Sequence, residues 1–238
     1  MSDAEALAGF VAKWRERWPE WRIAEVFVPQ AQREACVAWF ALQQELTDAA
    51  WGGSDPLPGE AKLGWWAEEL QGWSQGRRRH PLGLVLQRIP APWLQLATCV
   101  PALIASREVA ANRDQALDLL TPVAQAIRAI DQAVFDAATD TEAASADLLA
   151  MQLLVQGDAA APLQLRARVA DAEGEAIAKA WAGDLLETWP SMPSGGRPPR
   201  IRQALLRERL RRFAAGSARL QPLPALATLR IAWGAARG

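Results

Sequence analysis

The stretch EAKLGWWAEELQGWSQ, residues 60–75, indicates most directly which kind of fold the chain adopts. Its large apolar side chains recur at the spacing of a helix, at Leu63, Trp66, Leu70 and Trp73. Because an α-helix completes one turn in about 3.6 residues, these side chains share one face that can pack against a core. We therefore predict a helix over residues 60–75 that ends near Gly76.

The same helical spacing continues on both sides of this stretch. Upstream, Ser2 to Glu5 has the S-x-x-E form of a capping box, and Pro29 suits the first turn of a longer helix that ends near Trp51. Downstream, residues 81–138 are expected to form several helices kinked or restarted at prolines. Further helical segments are predicted over 142–156, 162–189, 201–215 and 224–236. Strand patterns are absent, so we predict an all-α fold in which residues 1–238 form a single domain.

The composition is ordinary for a globular protein, with 50% hydrophobic residues, 22% charged residues and a net charge of −1. A nearly neutral chain has no general attraction to nucleic acid, so we expect no nucleic-acid partner. The first ten residues lack an apolar signal segment, and residues 93–105 are too short to span a bilayer. We therefore expect a cytoplasmic protein. Cys36 and Cys99 lack metal-binding spacing and are predicted to be buried free thiols.

Carboxylates are the first candidates for a functional site. A helical protein that handles diphosphates holds Mg²⁺ between aspartates one helical turn apart. The polar run from Gln43 to Asp48 contains no such pair, and a solvated helix face is its simplest interpretation. Two pairs elsewhere have this spacing, or nearly so, without a matching partner motif: Asp114 with Asp118, and Asp131 with Asp136. The sequence therefore predicts no metal site.

The only histidine follows three arginines in the loop Arg77-Arg78-Arg79-His80. These side chains can donate hydrogen bonds to an anion, and we take all four as candidate ligand-binding residues. An exposed loop without a ligand is the alternative. Hydrolytic catalysis has little support, because the sequence contains neither a G-x-S-x-G elbow nor a Cys/His arrangement near this histidine.

Residues 197–219 form the most basic part of the chain, with eight arginines against one acid, Glu208, and a local charge of +7. Apolar residues at helical spacing give this segment a second, apolar face. It can therefore contact an anionic membrane peripherally, or an acidic partner. The arginines expected to make that contact are Arg207, Arg209, Arg211 and Arg212. A helix that packs on the core and exposes its basic face is the alternative.

Twelve tryptophans and no tyrosine make an unusual aromatic set. Core filling is the simplest explanation for them. Some of them can instead line an apolar cavity for a ligand, and the candidates are Trp39, Trp51, Trp65, Trp66, Trp73 and Trp93. Among these, we take Trp66 as a candidate ligand contact.

The stretch from Val26 to Leu86 resembles the N-terminal part of the squalene/phytoene synthase family, in its degenerate branch. A mitochondrial assembly factor for respiratory complex I belongs to the same branch. A weaker likeness returns near residues 205–229, so about a quarter of the chain matches well. The matching residues, in the family's order, are Phe27-Val28-Pro29, Arg33, Ala38 to Leu42, Glu45-Leu46, Pro58-Gly59-Glu60, Leu63, Trp65-Trp66, Glu69, Gly76 and His80-Pro81-Leu82.

The resemblance implies an isoprenoid synthase-like helical bundle, in which two aspartate-rich motifs face each other across a cavity and hold magnesium diphosphates. Where the family has a form close to D-D-x-x-D, this sequence has Thr47-Asp48-Ala49-Ala50-Trp51. Asp48, with Glu45 one turn earlier, is therefore the remnant of the first motif. Asp184 is the best placement for the second motif. The tyrosine-rich segment of active relatives is also missing.

Loss of these aspartates implies a loss of catalysis, because ionisation of a prenyl diphosphate needs its developing negative charge neutralised. We therefore expect a catalytically degenerate protein without a cofactor that binds a lipid-like ligand or a protein partner, as an assembly or regulatory factor. The alternative is an active prenyltransferase that joins two prenyl diphosphates head to head and uses Mg²⁺.

Overall fold

The computed structural model describes residues 3–237, and 73% of these residues are helical. Within the described residues there is no strand, which confirms the all-α prediction. Short 3₁₀ turns cover Glu25–Phe27, Gln30–Gln32 and Gly157–Ala160. The α-helices are α1 (Asp3–Arg17), α2 (Trp21–Ala24), α3 (Arg33–Trp51), α4 (Leu57–Ser74), α5 (Gly83–Leu86), α6 (Trp93–Thr98), α7 (Val100–Ala105), α8 (Arg113–Phe135), α9 (Thr141–Gln156), α10 (Leu163–Arg168), α11 (Glu175–Glu187), α12 (Arg197–Ala214) and α13 (Ala225–Arg237).

Helix α4 contains the stretch on which the fold prediction rests. Its predicted apolar face is confirmed, since Leu63, Trp66, Leu70 and Trp73 are all buried. The helix begins three residues earlier than predicted, at Leu57, with Pro58 in its first turn where a missing N–H costs nothing. A Cβ atom at Gly59 would collide with the main-chain carbonyl oxygen of Ala49. The absence of a side chain there lets α4 cross close to α3.

Two helix boundaries differ from the sequence prediction. The predicted restarts at proline are confirmed at Pro92, which precedes α6, and at Pro101, in the first turn of α7, whereas the 23-residue helix α8 continues through Pro122. Its buried apolar face packs along α9, and this contact outweighs the cost of one missing main-chain hydrogen bond. Conversely, the segment predicted over 162–189 is divided between α10 and α11, and α11 follows Gly174, whose positive φ of 49° ends the preceding turn.

The N-terminal prediction has a mixed outcome. The capping box involves Ser2, which lies outside the described residues. Helix α3 begins at Arg33 and not at Pro29, because the chain first forms the 3₁₀ turn Gln30–Gln32. The end of α3 at Trp51 is as predicted.

The buried side chains of the described residues form one apolar cluster that extends from Trp14 to Ala235. Tryptophans fill much of it and contact one another mainly edge to face. The ring centroids of Trp73 and Trp93 lie 5.2 Å apart, and those of Trp39 and Trp93 lie 6.0 Å apart. Such pairs add about 0.5–1.5 kcal/mol beyond the burial of area. Cys36 and Cys99 are buried free thiols, as expected.

Helix α3 lies at the centre of the fold and is covered nearly all round. The prediction of a solvated polar face is wrong, because Gln43, Gln44, Glu45 and Thr47 are buried. Helix α1 covers the side of α3 that carries Gln44, Glu45 and Asp48, whereas Gln43 contacts Arg202 of α12. The arrangement places α1 directly over the carboxylates that the sequence singles out.

Among the described helices, none combines the length and the apolar character that crossing a bilayer requires.

Candidate functional site

Glu45 is held between two lysines from different helices. Its carboxylate oxygens lie 2.6 Å from Nζ of Lys62 on α4 and 3.3 Å from Nζ of Lys13 on α1. Burial raises the pKa of this carboxyl, but hydrogen bonds and charge from Lys62 and Lys13 outweigh it and hold the pKa below its usual value. Glu45 is therefore an ionised partner in a small charge cluster.

Asp48, one turn later on α3, also pairs with a cation of α1. One carboxylate oxygen accepts a hydrogen bond from Arg17 on α1 at 2.9 Å, and the other accepts one from Nε2 of Gln44 at 2.7 Å. The crevice between α1 and α3 beside these two carboxylates has a volume of about 10 Å³. A space of this size holds about one water molecule, and a diphosphate does not fit.

Asp184, proposed for the second motif, lies in a different environment. Both of its carboxylate oxygens bind Arg168 from α10, at 2.6 and 2.7 Å. The structure thus brings Glu45 and Asp48 together beneath α1, whereas Asp184 pairs with a cation near α10. Within residues 3–237, no group of three or more His, Cys, Asp and Glu side chains is arranged to hold a metal ion.

The basic loop is organised from within by Glu69 on α4. This buried carboxylate accepts hydrogen bonds from the main-chain N–H groups of Arg79 and His80, each at 2.7 Å, and from Nε1 of Trp73 at 2.8 Å. Arg79 adds its side-chain Nε at 3.1 Å. These four donors offset the effect of burial and keep the pKa of Glu69 below its usual value.

His80 does not belong to an exposed loop, and that alternative is wrong for this residue. Its ring is buried between Phe10 and Trp66, with centroid distances of 4.4 and 4.5 Å. The Nδ1 atom accepts a hydrogen bond from the main-chain N–H of Leu82, and burial lowers the pKa to about 4. His80 is therefore neutral near pH 7.

The other predicted ligand contacts are distributed between surface and core. Arg77 and Arg78 are exposed, with Arg77 bonded to Gln75 and Arg78 lying 3.3 Å from Asp3. Arg79 is exposed over the ring of Trp65 and remains tied to Glu69. Trp66 is buried against Trp65 and Trp73.

Sequence reasoning missed a buried polar cluster in the middle of the bundle. Arg202 on α12 lies above the ring of Phe40, donates to Oε1 of Gln43 at 2.8 Å and approaches Asp147 on α9 at 3.5 Å. Burial raises the pKa of Asp147 to about 7, although Arg202 opposes the shift. One polar atom on each of Gln43, Asp147 and Arg202 has no protein partner. An acid at an otherwise apolar helical position in α9 was the only signal in the sequence.

Asp131 on α8 belongs to the same buried region. It accepts hydrogen bonds from Nε1 of Trp39, at 2.7 Å, and from the hydroxyl of Thr139. Burial raises its pKa to about 6, against the effect of these donors. The sequence had paired Asp131 with Asp136, but Asp136 ends α8 in a left-handed conformation with φ of 56°.

The arginine-rich helix α12 uses its basic residues in several ways. Arg209 is buried, bound to Glu20 and stacked 4.2 Å above the ring of Trp18, so it is not available to a membrane. Arg211 and Arg212 both bind Glu208, whose pKa falls to about 2, chiefly through Arg211. Arg207 is exposed. The predicted membrane contact through these four arginines therefore loses Arg209, because the helix turns this residue toward the core.

A groove of about 440 Å³ lies between the end of α11, the following loop, α12 and α13. This volume falls within the range of small-molecule sites. Its lining is largely apolar, with two arginines on α12. The residues are Leu186, Trp189, Pro190, Met192, Pro193, Gln203, Ala204, Arg207, Glu208, Arg211 and Ile231. No sequence motif pointed to this groove, because its walls come from three separate helices.

Comparison of the chain with protein-family models, with curated proteins and with solved structures finds no match. The fold and the candidate site therefore define the class only as an all-α protein with ion-paired carboxylates beneath α1 and an apolar groove beside α12.

Proposed function

We propose that the chain is a catalytically degenerate relative of the squalene/phytoene synthases, with an isoprenoid synthase-like bundle, that binds a lipid-like ligand in the cytoplasm. One observation carries the loss of catalysis. Glu45 and Asp48, the remnant of the first aspartate-rich motif, already neutralise cations from α1 and α4. A Mg²⁺ ion would have to displace Lys13, Lys62 and Arg17, in a crevice without room for a diphosphate.

We place the ligand in the groove beside α12. Its apolar walls suit a prenyl or acyl chain, and its arginines suit an anionic headgroup. Since Glu208 is occupied by Arg211 and Arg212, Arg207 is the groove cation without an acidic partner among the described residues. We assign Arg207 to the headgroup, and Met192 and Ile231 to the chain.

The test is a calorimetric titration with farnesyl monophosphate, an anion with a prenyl chain that needs no ionisation. We expect Arg207→Glu and Met192→Asp each to weaken binding by about tenfold or more, because each places a negative charge beside the ligand. Matched controls are Arg77→Glu in the basic loop and Leu57→Asp at an exposed position of α4. Both are expected to stay within about twofold of the wild type.

Absence of binding to the wild-type protein would contradict the proposed ligand class. Binding that is lost in Arg77→Glu but retained in Arg207→Glu would show that the ligand binds at the basic loop, and would contradict its assignment to the groove.

A further inference from the structure

Helix α13 has an exposed face that is both apolar and basic. Leu226 and Trp233 are 82% and 51% exposed, and Leu229 lies between them on the same side of the helix. Arg230 and Arg237 extend this face at helical spacing. The opposite face packs into the protein through Thr228, Ala232 and Ala235. Helix α13 therefore uses small residues to attach to the core and presents its large apolar residues to solvent.

The apolar surface continues beyond α13 onto the chain that follows α2. The ring of Phe27 contacts that of Trp233 at a centroid distance of 5.7 Å, and the adjacent Val26 is 62% exposed. Ten large hydrophobic residues are exposed in the described chain, and four of them belong here: Val26, Leu226, Leu229 and Trp233. Exposed apolar residues that cluster in this way mark an interaction surface, whereas single ones do not.

The charges around this surface that lack an ion-pair partner have one sign. Helix α13 contains no acidic residue, and Arg237 lies 4.8 Å above the ring of Trp233. Arg22 on the adjacent α2 and Arg230 are exposed, and neither forms an ion pair within residues 3–237. The nearby acids are already occupied, because Glu25 binds Arg15 and Glu20 is buried with Arg209.

We infer that the α13 face, defined as Val26, Leu226, Leu229, Arg230, Trp233 and Arg237, docks the protein onto the anionic surface of a lipid bilayer. Tryptophan and leucine between arginines are typical of helices that lie in the plane of the headgroups. A protein partner would be expected to meet charges of both signs, whereas a surface whose unpaired charges are all positive complements anionic lipid. The inference concerns a surface and does not depend on a ligand in the groove.

The experiment is sedimentation of the full chain with phosphatidylcholine vesicles that contain or lack phosphatidylserine. We expect binding only to the phosphatidylserine vesicles, and a decrease as salt is raised. Arg230→Glu with Arg237→Glu should reduce the partition constant between water and vesicles by about 30-fold or more, because two attractions become repulsions. Leu226→Asp with Trp233→Asp should reduce it by at least about tenfold.

The matched control is Arg77→Glu with Arg78→Glu, which makes the same change in net charge on a different exposed surface. We expect it to retain binding within about threefold. All these positions are exposed, so unchanged circular dichroism and melting are expected of every variant. Binding that is absent in the wild type, or equally strong in the α13 variants, would overturn the inference. Loss of a wild-type dimer in the α13 variants, with unchanged vesicle binding, would assign the face to a second copy instead.

Discussion

Replacement of Arg209 by alanine is expected to lower the free energy of unfolding by about 3–5 kcal/mol. Arg209 donates to both carboxylate oxygens of Glu20, which also accepts the main-chain N–H of Leu223 at 2.8 Å. The guanidinium adds a hydrogen bond to the carbonyl oxygen of Arg17 and stacks on Trp18. Alanine would leave the buried carboxylate of Glu20 without its cation, and this is the source of the large loss.

Urea denaturation followed by circular dichroism measures this effect. Arg207→Ala serves as the control, because it removes the same side chain from an exposed position of the same helix. We expect the control to change the free energy of unfolding by less than about 0.5 kcal/mol. A loss for Arg209→Ala as small as that of the control would show that α12, the segment before α2 and the segment before α13 are not held together by this ion pair.

The second large effect is expected when Arg202 is replaced by methionine. Arg202 is the cation beside Asp147 in the core, and its charge also lowers the pKa of Asp131. Without it, an ionised Asp147 is a buried charge without a partner, which costs about 3–5 kcal/mol. The cost disappears when the carboxyl is protonated, so the size of the loss depends on pH.

The sign of this dependence follows from the raised pKa values. In the wild-type protein, Asp131 and Asp147 have pKa values of about 6 and about 7, against an ordinary value of 3.8. The folded protein therefore binds more protons than the unfolded chain between these limits, and these two residues lower the free energy of unfolding as pH rises. His80 acts in the opposite direction, because its pKa of about 4 lies below the ordinary 6.5.

Arg202→Met should raise both aspartate pKa values further, so we expect the full loss at about pH 8 and a clearly smaller loss at about pH 5. His80 is unchanged and cancels when variant and wild type are compared at the same pH. Urea denaturation at both pH values makes the measurement, with Arg207→Met as the control on the exposed side of α12. Equal losses at the two pH values would contradict an ionised Asp147 beside Arg202.

The sequence was sufficient to predict the elements whose apolar spacing is regular. Helix α4 shows the predicted buried face because the spacing of Leu63, Trp66, Leu70 and Trp73 fits one face of a helix and does not fit the alternation of a strand. The path of α8 through Pro122 was not predictable in this way. Local preference favours a break there, and only packing along α9, which is a tertiary contact, keeps the helix intact.

Of the candidate site, the sequence identifies only the two carboxylates, and it does so through the family resemblance and not through residue spacing. The spacing indicates only that Glu45 and Asp48 are neighbours on α3. Their cations come from α1, 31 and 32 residues earlier, and from α4, 17 residues later, and no local pattern links such distant positions. The burial of His80 was equally hidden, because it depends on Phe10 of α1 and on Glu69 of α4. The groove was missed for the same reason.

The most direct test of the proposed loss of catalysis is incubation of the pure protein with farnesyl diphosphate and Mg²⁺, followed by measurement of released diphosphate. We predict no release above a protein-free control, because the carboxylates that would hold the metal are bound to Lys13, Lys62 and Arg17. Diphosphate release by the wild type that disappears in Asp48→Ala would contradict the account and establish the active prenyltransferase in its place.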